Sequence, residues 1–377
     1  MMGSLVKEDL AVSFDMIEDP RLDRTKKYPI EEIIFLALFA ALLGIESWRG
    51  IELVGKERID FLRKFLLFKE GIPTHQTIGR LFSILKPKSF ESFFRNYTAA
   101  LYGSNEGRHI ALDGKTMCGS YDKASGKKAL HLLHAQAVDM GITLAQLEVG
   151  VKTNEIATVP EMIDALDVKG AMISADALNT QKEIASKIVD AEADYTLALK
   201  GNHKTLNEDV QLTFDTQLIP NENRQIETEK GHGRVTEWTY EVIDIDSKIL
   251  PQASEWKGLK SIGRAKTSVW KEGRETSETR YYLLSYRDVK LFAKSARGHW
   301  AVESMHWILD VTYNEDACRK RKDNAPRNYS LIRKFALNII KTVKGKLSVP
   351  LVHIKSAANP EYLTATLVSA GFPLLAT

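Results

Sequence analysis

The sequence predicts a mixed α/β catalytic core that carries a β-rich insertion and follows an all-α N-terminal domain. Three observations predict it. Apolar residues recur with helical spacing from Tyr28 to Leu101. From His109 the pattern changes to three short runs of strand length, followed by alternating helix and strand. Between Lys204 and Tyr286, period-two stretches such as Glu237 to Ile243 and Arg280 to Tyr286 are separated by glycines and charges. These changes place a helical domain for DNA binding or dimerisation at 1–105 and the core at 106–203 with 287–346. The insertion then occupies 204–286, and a loosely packed C-terminal tail is expected at 347–377.

At 377 residues the chain is long enough for two or three domains. Its 44% hydrophobic and 27% charged content is that of a soluble globular protein. A net charge of +3 permits a nucleic-acid partner without requiring one. Cys118 and Cys318 stand apart from any CxxC, which argues against a disulfide framework or structural zinc. The N-terminus has no basic-then-apolar signal pattern. The apolar run Ile33 to Ile45 is far shorter than the roughly 18 residues of a membrane span. No membrane partner is expected; the setting expected is a reduced cytoplasm, at the nucleoid if DNA is the substrate.

Taken in order, Pro29 opens a helix dense in apolar residues, Ile51 to Leu67 follows, and Gly71-Ile-Pro73 breaks the pattern. Thr74 opens the next helix and Phe90 to Leu101 forms the last of this domain. Strands are expected at His109–Leu112, Ala129–Val138 and Ile142–Val149, then a helix over Val159–Leu166 with Pro160 in its first turn. A strand ending at Asp176, a helix over Thr180–Ala193 and the strand Asp194–Leu199 complete the series. That order is the one found in ribonuclease H-like folds. Helical spacing returns from Val289 to Lys344, and Pro350, Pro360 and Pro373 punctuate the remainder.

Two of these strands deliver carboxylates. Ile110-Ala-Leu runs into Asp113 with Gly114 as a turn, and Gly170-Ala-Met-Ile-Ser-Ala runs into Asp176. A third acid, Glu303, lies on the helical stretch in which His299, His306 and Asp310 recur at steps of three and four. Trp300 and Trp307 would share another face, as core. Three acids from two strands and one helix suit a pair of Mg²⁺ ions working on a phosphodiester, with Mn²⁺ able to substitute. A strand-end aspartate alone is more often a cap or turn former than a ligand, and Glu303 has the better context. A rival arrangement, zinc or di-iron held through Glu303-x-x-His306, needs a second half. The other Glu-x-x-His runs, Glu106–His109 and Glu229–His232, contain glycine and read as loops.

Several ordered motifs then resemble one family. They are Ala111-Leu-Asp113-Gly-Lys115, Lys152-Thr-Asn154-Glu155-Ile, Asp176-Ala-Leu-Asn-Thr-Gln181, Asp194 to Asn202, His232-Gly-Arg234, His299-Trp-Ala-Val-Glu303 and His306 to Asp316. Arg319, Arg321 and Asn324-Ala-Pro326-x-Asn328 follow them. From Phe14 to Lys344 the chain resembles the DDE transposases of the ISAs ("As-one") insertion-sequence family, including the H-repeat-associated proteins of Rhs elements. The resemblance implies that Asp113, Asp176 and Glu303 are the metal-binding triad, on a ribonuclease H-like core with a β insertion. In related transposases an arginine precedes this glutamate and a lysine follows it. Here His299 and Asp310 occupy those slots, so His306, Lys115 and Arg319 become candidates for the missing DNA contact.

Basic residues are the other half of a DNA-processing site. Arg319-Lys-Arg321-Lys322 clusters after Glu315-Asp316, and phosphate binding needs such clusters. Lys200, His203 and Arg234 lie beside glycines that permit close backbone approach. Together these features predict a transposase that hydrolyses phosphodiesters at its terminal inverted repeats and joins the 3′-OH to target DNA, as a homo-oligomer on double-stranded DNA. The alternatives are a nuclease of the same fold without strand transfer, and a DNA-binding remnant without catalysis.

Overall fold

The computed structural model describes residues 13–121, 126–150, 154–231, 233–245 and 250–375. The N-terminal region is helical: α1 (Ile30–Leu42), α2 (Trp48–Glu57), α3 (Ile59–Leu62), α4 (His75–Ile84) and α5 (Pro87–Tyr102). Then come β1 (His109–Met117), β2 (Leu130–Ala137), β3 (Ile142–Glu148), α6 (Glu155–Ala165), β4 (Met172–Ala175), α7 (Lys182–Asp190) and β5 (Asp194–Leu199). The expected insertion opens with a helix, α8 (Lys204–Thr216), before β6 (Arg224–Gly231), β7 (Arg234–Asp244), β8 (Ser261–Lys271) and β9 (Arg274–Leu284). Five helices close the chain: α9 (Val289–His299), α10 (Ala301–Val311), α11 (Ala325–Val343), α12 (Val349–Ala358) and α13 (Pro360–Ser369).

The strands form one mixed sheet of nine, in the order β3-β2-β1-β4-β5-β9-β8-β7-β6. β1, β4 and β5 are mutually parallel, and the other pairings are antiparallel. The insertion therefore extends the core sheet, because β9 hydrogen-bonds directly to β5. Ile184, Ile188, Val159 and Met162 of α6 and α7 pack on one face of the sheet.

Helix α1 is buried on nearly every side, as a helix apolar all round must be. Its Glu32 is the exception in chemistry, and it accepts the Phe68 N–H at 2.6 Å. The partner of α1 is α11, 19 residues long and buried from Ala325 to Ile340 except at Arg327. The N-terminal helices share one hydrophobic core with α10, α11, α12 and α13. Phe335 of α11 is its hub, with the rings of Phe93, Phe94, Tyr97 and Phe372 around it.

Three expectations need correction. Residues after Leu347 form α12 and α13 rather than a loose tail: Pro350 and Pro360 lie in the first turns, where a missing N–H costs nothing. Val352, Leu363 and Phe372 are buried there. Helix α6 begins at Glu155 with Asn154 as cap, its side chain accepting the Ala157 N–H at 3.3 Å, so Pro160 lies inside the helix. Trp300 and Trp307 are not core, with 41% and 62% of their surface exposed, and Arg280 lies 3.9 Å over the Trp300 ring. Among the described residues no helix is long and apolar enough to cross a membrane.

Phe335→Ala tests the shared core. It should lower unfolding free energy by about 3–5 kcal/mol in denaturant titration. Amide exchange should rise in α5 and around Phe372 together, since both lean on the same ring.

Candidate active site

Strand register creates the site. Leu112 of β1 pairs with Ala175 of parallel β4, so the next residues, Asp113 within β1 and Asp176 just past the end of β4, lie side by side. The glycine after Asp113 is not a turn, because β1 continues to Met117 and Gly114 pairs with Leu133. A Cβ on Gly114 would lie 2.1 Å from Glu155 Oε1, so glycine here admits a carboxylate that any side chain would displace.

Glu155 is the functional candidate that the sequence reading left without a role. It occupies the first position of α6, where the helix dipole favours negative charge. His131 Nε2 donates to its Oε1 at 2.6 Å and Asn179 Nδ2 to its Oε2 at 3.0 Å. Asn179 also gives Asp176 Oδ1 two hydrogen bonds, from its backbone N–H at 3.1 Å and from Nδ2 at 3.0 Å. One chain of contacts therefore runs from β2 through Glu155 to Asp176. Its sequence signal was a capping asparagine followed by an acid.

Burial pushes the Asp113 carboxyl up to about 7, with help from the charges of Asp176, Glu155 and Glu303. Burial also raises Asp176, which the Asn179 hydrogen bonds partly offset. Glu303 is exposed in the first turn of α10. Among the described residues no three His, Cys, Asp or Glu side chains already converge at metal-binding distance. The donors these acids offer are carboxylate oxygens, the atoms that hard divalent cations take, and they are not drawn together into a closed chelate.

The remaining predicted residues take varied places. Trp300 separates α9 from α10, so His299 and Glu303 belong to different helices. His299 Nδ1 lies 2.9 Å from Ser174 Oγ, and that hydroxyl is 2.7 Å from His109 Nε2. His306 is 3.5 Å from Asp113 Oδ2 and 3.3 Å from Nδ1 of buried His134. Burial holds His299 and His306 down to about 4, so both are neutral near pH 7 and offer no cation to DNA. His109 bonds to Ser174, His306 lies beside Asp113 and Glu229 pairs with Arg297, so the di-iron arrangement finds no second half among the described residues, outside which His232 lies.

Lys115 is buried too. Its ammonium meets Asp310 at 2.6 Å, Asp316 at 3.1 Å and Glu315 at 3.3 Å, a structural role in place of the expected DNA contact. Lys200 is exposed, and its charge lowers the Asp176 carboxyl. His203 Nε2 ties to the Thr180 carbonyl at 2.6 Å and its ring packs edge-on against Trp256, again structurally. Arg234 is exposed where β7 leaves its hairpin with β6. Arg319 is exposed; Arg321 lies over Tyr121 and donates to the Gly119 carbonyl at 3.1 Å.

Comparison with known proteins adds two family models. "Transposase DDE domain" matches residues 104–339, and "DDE_Tnp_1-associated" matches residues 11–98. YbfL of Escherichia coli K12 is 35% identical over 94% of this chain and 97% of its own length. The "H repeat-associated putative transposase YhhI" of the same strain is 34% identical over the same shares. The "Putative transposase YncI" of Escherichia coli O157:H7 is 36% identical over 94% of this chain and 93% of its own. A cryo-EM structure of the piggyBac transposase synaptic complex with hairpin DNA aligns with 90% of this chain and 72% of that one, at 12% identity and a TM-score of 0.40.

Two outcomes test this geometry. Gly114→Ala should destabilise the protein by ~1–3 kcal/mol, and combining it with Glu155→Ala should recover at least ~0.5 kcal/mol relative to additivity in a double-mutant cycle. For buried Glu315, burial alone would raise the carboxyl, but Lys334, Arg333 and Lys115 override it and hold it at about 2 against an ordinary 4.5. The stability this supplies is full above 4.5 and lost as pH falls through about 2. Glu315→Gln should flatten that acid limb in melts followed by circular dichroism.

Proposed function

The chain belongs to the DDE-domain transposases, and from that premise we propose that Asp113, Asp176 and Glu303 form the metal-binding triad of an enzyme that cuts and joins DNA. The single observation that carries the reading is the strand register that seats Asp113 beside Asp176, with the charge of Glu303 reaching Asp113. The sheet segment β3-β2-β1-β4-β5 with α6, α7 and α10 serves as a ribonuclease H-like core. The motifs running from Asp113 to Asn328 favour the ISAs insertion-sequence group within the family.

Mg²⁺, or Mn²⁺ in its place, would be held by the three carboxylates and would supply activation of the attacking oxygen and stabilisation of the leaving one. The chain's own residues do the positioning. Asn179 donates twice to one oxygen of Asp176, which leaves the other oxygen outward. Glu155 fixes Asn179 from behind, and His131 fixes Glu155. Neutral His306 flanks Asp113 without competing for it as a cation. Water attack at an element end would release a 3′-OH, which then attacks a phosphodiester of target DNA. Recognition of terminal inverted repeats and pairing of two ends call for a homo-oligomer on double-stranded DNA.

Cleavage of labelled linear DNA carrying the flanking element end tests the reading, with Mg²⁺, Mn²⁺ or EDTA. Nicking at the element boundary should require metal and vanish in Asp113→Ala while binding persists. Glu155→Gln should slow nicking roughly 10–100-fold, the usual cost of losing a supporting partner behind a metal ligand. Binding without nicking under either metal would favour the non-catalytic remnant. Nicking without joined products, given a free 3′-OH end, would favour a nuclease.

A further inference from the structure

Between the N-terminal helices and the loop after α10 lies an open cleft of about 820 Å³. Arg80, Lys127, Arg319, Lys320, Arg321 and Lys322 line it, against a single carboxylate, that of Asp323. In a chain whose net charge is only +3, that is a concentration of positive charge rather than background. None of the six has an ion-pair partner among the described residues, whereas many exposed cations elsewhere are paired. Pockets for small molecules are mostly apolar with a few polar groups. Most of the side chains lining this one are charged or polar, which suits a polyanion.

One wall of the cleft is tied to its neighbours. Lys320 donates to the Glu46 carbonyl at 2.5 Å and lies 4.6 Å from the Trp48 ring and 3.9 Å from that of Tyr329, so it pins the loop to the N-terminal helices. Asn324 donates through its backbone to the Ser83 carbonyl and through its side chain to the Leu85 carbonyl, both at 3.2 Å. Asp323 between them adopts φ +44°, a left-handed conformation held by these ties. Arg80, Arg319 and Lys322 remain exposed. On the other side Arg321 binds the Gly119 carbonyl, just beyond the end of the strand that carries Asp113. From Asp113 to Met117 is four residues of strand, about 13 Å, or roughly four base steps of duplex rise.

We propose that this cleft docks the sugar–phosphate backbone of duplex DNA a few base pairs from the scissile phosphate, with the N-terminal helices and the loop after α10 each supplying one wall. The proposal rests on the reading of the acidic centre as a DNA-processing site. Arg80 on α4 and Lys322 on the loop are the cations that meet phosphate from opposite walls, while Lys320 organises the wall without reaching DNA.

The test is fluorescence anisotropy of a short mixed-sequence duplex across a salt series, using the full chain. Arg80→Ala and Lys322→Ala should each weaken binding by roughly an order of magnitude near 0.1 M salt and lower the log–log salt slope by about one. The double variant should lower the slope by about two. Lys169→Ala, in the turn before β4 and so at the far end of that strand from Asp176, should change neither. Unchanged affinity and slope in the double variant, with the wild type binding, would remove the cleft from DNA contact and leave the triad reading standing. A wild type that binds no duplex at all would overturn both. Circular dichroism melts matching the wild type ensure that the losses report contact, since neither exposed side chain is tied into the fold.

Discussion

The carboxylate of Glu315 is wholly buried among three cations: Lys115 at 3.3 Å, Lys334 at 3.6 Å and Arg333 at 3.8 Å. They come from two elements. Lys115 is two residues from Asp113 on β1, and Arg333 and Lys334 belong to the helix that anchors the N-terminal region. Arg333 reaches further, its Nε donating to Glu46 at 2.8 Å. Removing one partner of such a buried group leaves uncompensated charge, typically at a cost of about 3–5 kcal/mol. The placement of β1 against α10 and α11 depends on this one cluster staying paired.

The same cluster explains the exchange of charge on α10. Where related transposases place a lysine after the glutamate, this chain has Asp310, and Asp310 is bound by Lys115. A positive side chain is thus still present beside the helix, supplied from β1. It is spent on internal carboxylates, so phosphate binding falls to cations elsewhere, and the exposed ones nearest in sequence lie in the cleft around Arg319.

Much of this was legible in the sequence, for identifiable reasons. Asp113 and Asp176 end or interrupt short apolar runs, which is how a buried strand marks itself. Their adjacency was not legible as geometry, because it arises from the parallel register of β1 with β4, on which the intervening hairpin and helix leave no local mark. Glu155 escaped because its importance lies in Gly114, a residue that reads as a turn until a carboxylate is found against it. The C-terminal helices escaped because Pro350 and Pro360 break helices in most contexts and begin them here. Trp307 misled in the opposite direction: aromatic residues at a spacing of seven imply a packed face, yet it faces solvent.

The shared core of α1 and α11 has a consequence for synthesis. The helix that is apolar on nearly every face is synthesised long before the helix that covers it. With roughly 300 residues between them and elongation at about 5–20 residues per second, α1 waits some tens of seconds for its partner. During that interval the nascent chain presents its most hydrophobic segment uncovered, which makes its yield a matter of chaperone occupancy as much as of the stability of the finished fold.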